Sequence, residues 1–153
     1  MVKFCLFVAS CACLVFWHFA TLCNPTLEVL GSGYFSIYSR DTVRSPLIIR
    51  RLDMGSGFIY TTRSEDAATL RQKFNTIDGE SITLDRHVPT RDILAVLGHT
   101  KVSARTDSVM TITYAYSGRG RDFIEHGGNR INLQIAHRGN RTIVGWPVIL
   151  GSF

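Results

Sequence analysis

Apolar and polar residues alternate with a period of two through much of the chain beyond residue 30, and a helical period appears in only two stretches. The clearest alternation is RINLQIAHRGNRTIVGWPVILGSF over 130–153. Ile131, Leu133 and Ile135 alternate with Asn132 and Gln134, and Val144, Trp146 and Val148 resume the pattern after His137-Arg138-Gly139-Asn140. This predicts a β-hairpin about Gly139-Asn140, with Ile135 opposite Val144, Leu133 opposite Trp146 and Ile131 opposite Val148 on one apolar face. A four-residue loop, Arg138 to Arg141, is expected. It sets Pro147 in a non-hydrogen-bonded pair of an edge strand, where the missing N–H costs no ladder bond. The opposite face then carries Asn132, Gln134, Gly145 and Pro147. That polar strip beside an edge is a candidate docking surface for another chain, with a solvated outer face as the alternative.

The same reading upstream gives a strand at YFSIYS over 34–39, a second at Pro46-Leu47-Ile48-Ile49 and a third entered from Gly55-Ser56-Gly57. LGSGYFSIYSR over 30–40 is echoed by MGSGFIYTTR over 54–63, a possible duplicated turn leading into an aromatic, hydroxyl-rich strand. Ser64 stands as an N-cap before Glu65 and Asp66, so a helix is expected from Ser64 to about Asn75, with Ala67, Leu70 and Phe74 on its apolar side. Glu80 to Leu84 alternates as a strand. Thr90 can cap a second helix, Arg91 to Leu97, that stops at Gly98. Lys101–Arg105 and Val109–Tyr116 follow as strands about Asp107-Ser108, and Ser117 to Asn129 has no apolar period and reads as a long loop. Helices interspersed with such strands predict an α+β fold. Its economical form is a two-layer sandwich, a mixed or mainly antiparallel sheet with two helices on one face and the hairpin at its end.

The first 23 residues change where this domain is expected to work. Lys3 precedes an uncharged run, Phe4 to Cys23, which has the grammar of an export signal and is long enough to span a bilayer as a helix. Three outcomes stay open: a cleaved signal peptide, a retained N-terminal anchor holding the chain in the membrane through residues 4–23, or lipidation at Val8-Ala9-Ser10-Cys11. In each, residues 24–153 form a single extracytoplasmic domain, secreted or anchored to the cytoplasmic membrane. All four cysteines lie in the export segment, so no disulfide is expected in the domain and its core must hold it. Beyond Lys3, basic residues exceed acidic ones by four, and they are almost all arginine.

GSGFIY over 55–60, IDGESITL over 77–84, TYAYS over 113–117 and NLQIAHRGNRTIVGWPVILGSF over 132–153 resemble uncharacterised exported proteins of endospore-forming Gram-positive bacteria. The resemblance implies an exported chain without domain cysteines, and no activity or catalytic residue.

Chemistry is sparse in the pattern. His87, His99, His126 and His137 are dispersed without ligand spacing, so no metal and no cofactor is expected. Hydrolysis could recruit Glu80, Asp85 and His87, or Asp122, Glu125 and His126 in the 117–129 loop, but neither set stands in a nucleophile motif, and no catalytic residue is assigned. Arg119-Gly120-Arg121 near Tyr114 and Tyr116 could meet an anion, and export argues against its being nucleic acid. The expectation is a non-enzymatic interaction or structural domain at the cell envelope. Its binding candidates are Arg119, Arg121, Asn132 and Gln134, and its partner is another envelope protein or an anionic envelope polymer. The alternatives are a small secreted hydrolase and an arginine-dependent anionic-polymer-binding module.

Overall fold

The structure, a computed structural model, describes residues 26–118 and 122–147. Residues 1–25, where an export signal was expected, and Arg119, Arg121 and Val148 therefore lie outside the described residues. Among those described, the order is β1 (Tyr34–Ser39), β2 (Arg50–Asp53), β3 (Phe58–Arg63), α1 (Ala67–Arg71), β4 (Gly79–Leu84), α2 (Thr90–Leu97), β5 (Thr100–Thr106), β6 (Thr111–Tyr116), β7 (Ile124–His126), β8 (Asn129–Ile131), β9 (Leu133–Arg138) and β10 (Arg141–Trp146). Eight strands make one antiparallel sheet in the order β2-β3-β1-β4-β10-β9-β6-β5, and β7 pairs with β8 as a separate ribbon. The fold is α+β.

The register explains the core. Phe35 lies opposite Ile82, Ile82 opposite Val144, Val144 opposite Ile135, and Leu133 opposite Ala115, so one face of the sheet is apolar across five strands. Leu70 of α1, Ile93 and Leu97 of α2, and Leu27 from a 3₁₀ turn at Leu27–Leu30 join these side chains in one buried cluster. Each such side chain contributes about 1.5–3 kcal/mol by leaving water.

The C-terminal hairpin keeps its expected register, with Ile135 opposite Val144, but two of its features are corrected. Arg138 pairs with Arg141, leaving a two-residue loop. Gly139 has φ 56° while Asn140, like every other described non-glycine residue, has negative φ, which is the pattern of a type II′ turn. The second correction concerns position. β10 is flanked by β4 on one side and β9 on the other, so it is central rather than an edge, and Pro147 lies just past its end, where no ladder bond is asked of it. Ile131 belongs to β8 and faces Ile124.

Other boundaries move for local reasons. Ser64 does not cap a long helix. Its backbone N–H donates to Gly33 O at 2.9 Å and its hydroxyl accepts from Gly33 N at 3.0 Å, which ties it to the start of β1. A 3₁₀ turn at Ser64–Asp66 leads into the five residues of α1, after which Phe74 N bonds Arg71 O at 3.2 Å and the Phe74 ring packs 5.1 Å from Tyr60. Pro46 to Ile49 is mostly turn rather than strand: Ser45 accepts from Leu47 N through its hydroxyl and from Ile48 N through its carbonyl. Leu47 and Ile48 pack on the core, and the strand is the next four residues. In the 117–129 stretch, Gly127 and Gly128 both have positive φ, the type I′ requirement, and they turn β7 into β8 where a plain loop was expected. Gly98 ends α2 at φ 65°, as expected.

Candidate functional site

Among the described residues the sheet has two unpaired edges, β2 and β5, and β2 is the one that carries or is flanked by exposed apolar side chains. Met54 N donates to Gly57 O at 2.9 Å, so by the antiparallel alternation Arg50, Leu52 and Met54 turn their N–H groups toward β3. The N–H and C=O groups of Arg51 and Asp53 point outward. Ile49 is 57%, Leu52 39% and Met54 48% exposed, in a run that also carries Arg50 and Arg51. The turn that presents this edge is stiff. Gly55 sits at φ 77°, Asp53 Oδ1 accepts from Gly55 N at 2.8 Å, and Ser56 Oγ meets Tyr38 OH at 2.8 Å. Gly57 cannot carry a side chain cheaply, since a Cβ there would lie 2.9 Å from Ser39 O. The Arg51 guanidinium lies 3.8 Å above the Phe58 ring, which holds one cation at the edge in a fixed place.

The residues singled out from the sequence fall elsewhere. Arg119 and Arg121 lie outside the described residues. Asn132 is fully buried: its side chain accepts from Ser117 N at 3.0 Å and donates to Ser117 O at 2.9 Å, while its backbone N–H donates to Ala115 O. It replaces a missing rung between β8 and β6 and cannot dock a partner. Gln134 is half-buried on an interior strand, opposite Gly145 on one side and Tyr114 on the other, with β6 between it and the nearer edge strand, β5. The polar strip is thus no edge surface.

Neither hydrolytic set comes together. Glu80 is bound by Arg71, Asp85 pairs with Arg141 at 3.1 Å, and His87 packs against His137. Asp122 lines a cleft that also holds Arg71, whereas the His126 ring stacks on Tyr114 at 4.4 Å. That cleft, about 290 Å³, is walled by Ile77, Trp146 and Pro147 on its apolar side and by Asp78, Glu80 and Asp122 on its polar side. Arg71 is locked at its back, 2.6 Å from Glu80 and 2.8 Å from Glu28. Burial works against the Arg71 charge, yet the bonds to both carboxylates outweigh it and hold its pKa above the ordinary arginine range. Burial likewise pushes the Glu28 carboxyl up, and the Arg71 contact brings it below its usual value. With its donors committed to two carboxylates, Arg71 serves as a structural clamp between the Leu27–Leu30 turn, α1 and β4.

Among the described residues no group of three or more His, Cys, Asp or Glu side chains could hold a metal ion. Among them, too, no helix is long and apolar enough to cross a membrane; residues 4–23, where a span was expected, lie outside them. No family model matches the chain, and no curated protein or solved structure matches it.

Proposed function

We propose that the chain is an exported interaction domain of the cell envelope that binds an extended segment of another envelope protein by strand addition at β2. The observation that carries this reading is the β2 edge itself: outward main-chain groups at Arg51 and Asp53, flanked by exposed Ile49, Leu52 and Met54. Arg50 and Arg51 favour an acidic partner, in keeping with the basic balance of the domain. Export rests on Lys3 and the apolar run behind it. The frame is a two-layer sandwich, with both helices over the face that carries Phe35, Ile82 and Ile135, so that binding at β2 leaves the core undisturbed.

The test uses a soluble peptide of alternating glutamate and valine, a lysine-valine counterpart, and polyglutamate, each titrated against the labelled protein by NMR. Saturable shifts centred on the Arg51 and Asp53 amides with the acidic peptide, and none with the basic one, are expected. Equal shifts with polyglutamate would replace the strand-adding partner by an anionic polymer. Silence of these amides toward all three would remove β2 from the function.

A further inference from the structure

His137 of β9 sits where four segments meet, and its hydrogen bonds fix which nitrogen carries the proton. Thr142 Oγ1 of β10 donates to Arg86 O at 2.9 Å and accepts from Val88 N at 2.9 Å. Its single proton is therefore spent on Arg86, and its 3.3 Å contact with His137 Nδ1 requires the ring to be the donor. A neutral imidazole protonated at Nδ1 accepts at Nε2. Thr90 Oγ1, on the first residue of α2, lies 2.9 Å from Nε2 and so donates to it. One neutral ring thus joins β9, β10, the 85–89 loop and the start of α2.

The surroundings are poorly suited to a charged ring. The His87 ring lies 4.6 Å from His137, centroid to centroid, so a proton added to His137 places its charge directly against a second imidazole. The nearby carboxylates are engaged elsewhere: Asp85 pairs with Arg141 at 3.1 Å and Asp92 with Arg91 at 3.1 Å. Arg86, the remaining charge on the loop, donates to Leu30 O at 2.7 Å. Burial, and then the charge of His87, depress the His137 pKa below 6.5, so the ring is neutral at neutral pH.

We infer that the 85–89 loop is an acid-opened latch, closed on neutral His137 and released when His137 takes up a second proton against the His87 ring. The loop is the side that gives. His87 is exposed and lies outside any helix or strand, whereas His137 is paired on both sides, with Thr142 of β10 and Thr111 of β6, one residue from the end of β9. Release breaks the Val88–Thr142 and Thr142–Arg86 bonds and loosens the Arg86 hold on Leu30, just ahead of β1. An acid signal at the surface would reach the beginning of the sheet by that route. Nothing in this depends on strand addition at β2.

The experiment follows the full chain by amide exchange at about pH 7.5 and about pH 5, on either side of the histidine range, with nitrogen NMR of His137 at the higher pH. The expected result is an Nδ1–H tautomer and, after correction for intrinsic exchange, a loss of Val88 protection of about tenfold or more on acidification. Ile82 should stay protected, and His87→Gln should preserve Val88 protection at the lower pH. An Nε2–H tautomer, unchanged Val88 protection, an equal loss in His87→Gln, or loss at Ile82 to the same degree would each overturn the latch.

Discussion

At one margin of the sheet β2 offers four residues, RRLD, with Ile49, Leu52 and Met54 exposed around it; at the other β5 offers seven, TKVSART, none of them a large exposed hydrophobe. The longer edge should be the greater aggregation hazard, since it presents more unpaired main chain. It is also the better defended. The register of β5 against β6 slips between Lys101 and Ser103, a bulge that twists the edge, and Lys101 and Arg105 stand along it. β2 is regular from Arg50 to Asp53. Two edges of one sheet thus differ in how far they are suited to a partner. Charge does not separate them, since β2 itself carries Arg50, Arg51 and Asp53; the bulge in β5 and the apolar side chains beside β2 do.

The largest effect should abolish the contrast. Both edges hang from the same core, and Ile82 of β4 is its midpoint, fully buried between Phe35 and Val144 in the register. Ile82→Ala should cost about 2–5 kcal/mol, a large part of the roughly 5–15 kcal/mol by which such domains are stable. Denaturant unfolding checks the magnitude, and exchange protection should fall at β2 and β5 together. Survival of protection at β2 after loss at β5 would mean that the two halves are separate cooperative units.

A smaller, sharper change separates the edges. Proline removes an N–H, and at an outward-facing position no ladder bond is lost. Arg51 is such a position in β2. Ala104 is its counterpart in β5, because Asp107 N donates to Met110 O at 3.0 Å and so sets the alternation there. Arg51→Pro should weaken binding of the acidic peptide at least about tenfold, or 1.4 kcal/mol, and Ala104→Pro should leave it unchanged. Arg51→Lys is the control for the guanidinium over Phe58, and it should retain most of the binding. Equal sensitivity to both prolines would erase the distinction between the edges.

These differences mark how far the sequence could be read. A period of two tells which face a side chain occupies, and it placed β1, β3, β4, β6, β9 and β10 within a few residues as well as the Ile135–Val144 register. It carries no information on which strand lies next to which. The pairing of β10 with β4, far apart in the chain, was therefore illegible, and with it the central position of the hairpin. Pro147 and Asn132 therefore border no edge at which another chain could dock, whereas β2 does lie at one. Asn132 has outward parity by alternation, but it sits at the irregular step between β8 and β9, where its amide satisfies both backbone groups of Ser117. Gly127-Gly128 was the one legible signal that went unused: two adjacent glycines before Asn129 are the grammar of a type I′ turn.

The smallest effect concerns the turns that bound the two edges. β2 turns into β3 through Gly55 at positive φ, and there Asp53 Oδ1 accepts a single N–H, that of Gly55, at 2.8 Å. β5 turns into β6 through Asp107, whose Oδ1 accepts from Val109 N at 2.8 Å and Met110 N at 2.9 Å. Those two N–H groups hold the Asp107 carboxyl below its usual 3.8. A depressed folded pKa means that the ionised carboxylate favours the folded turn above the unfolded value, and the contribution is lost as pH falls through the folded one. Acidification below about pH 4 should therefore raise the exchange of the Val109 and Met110 amides, corrected for intrinsic rates, by more than that of Met54, whose N–H is bonded to Gly57 O rather than to a carboxylate. Asp107→Asn keeps an acceptor without the charge, so its turn should exchange faster at neutral pH and lose the acid dependence. An acid response at Met54 as large as that at Val109 and Met110 would show that the two N–H groups on Asp107 set its turn apart in nothing, and the asymmetry between the edges would then stop short of their ends.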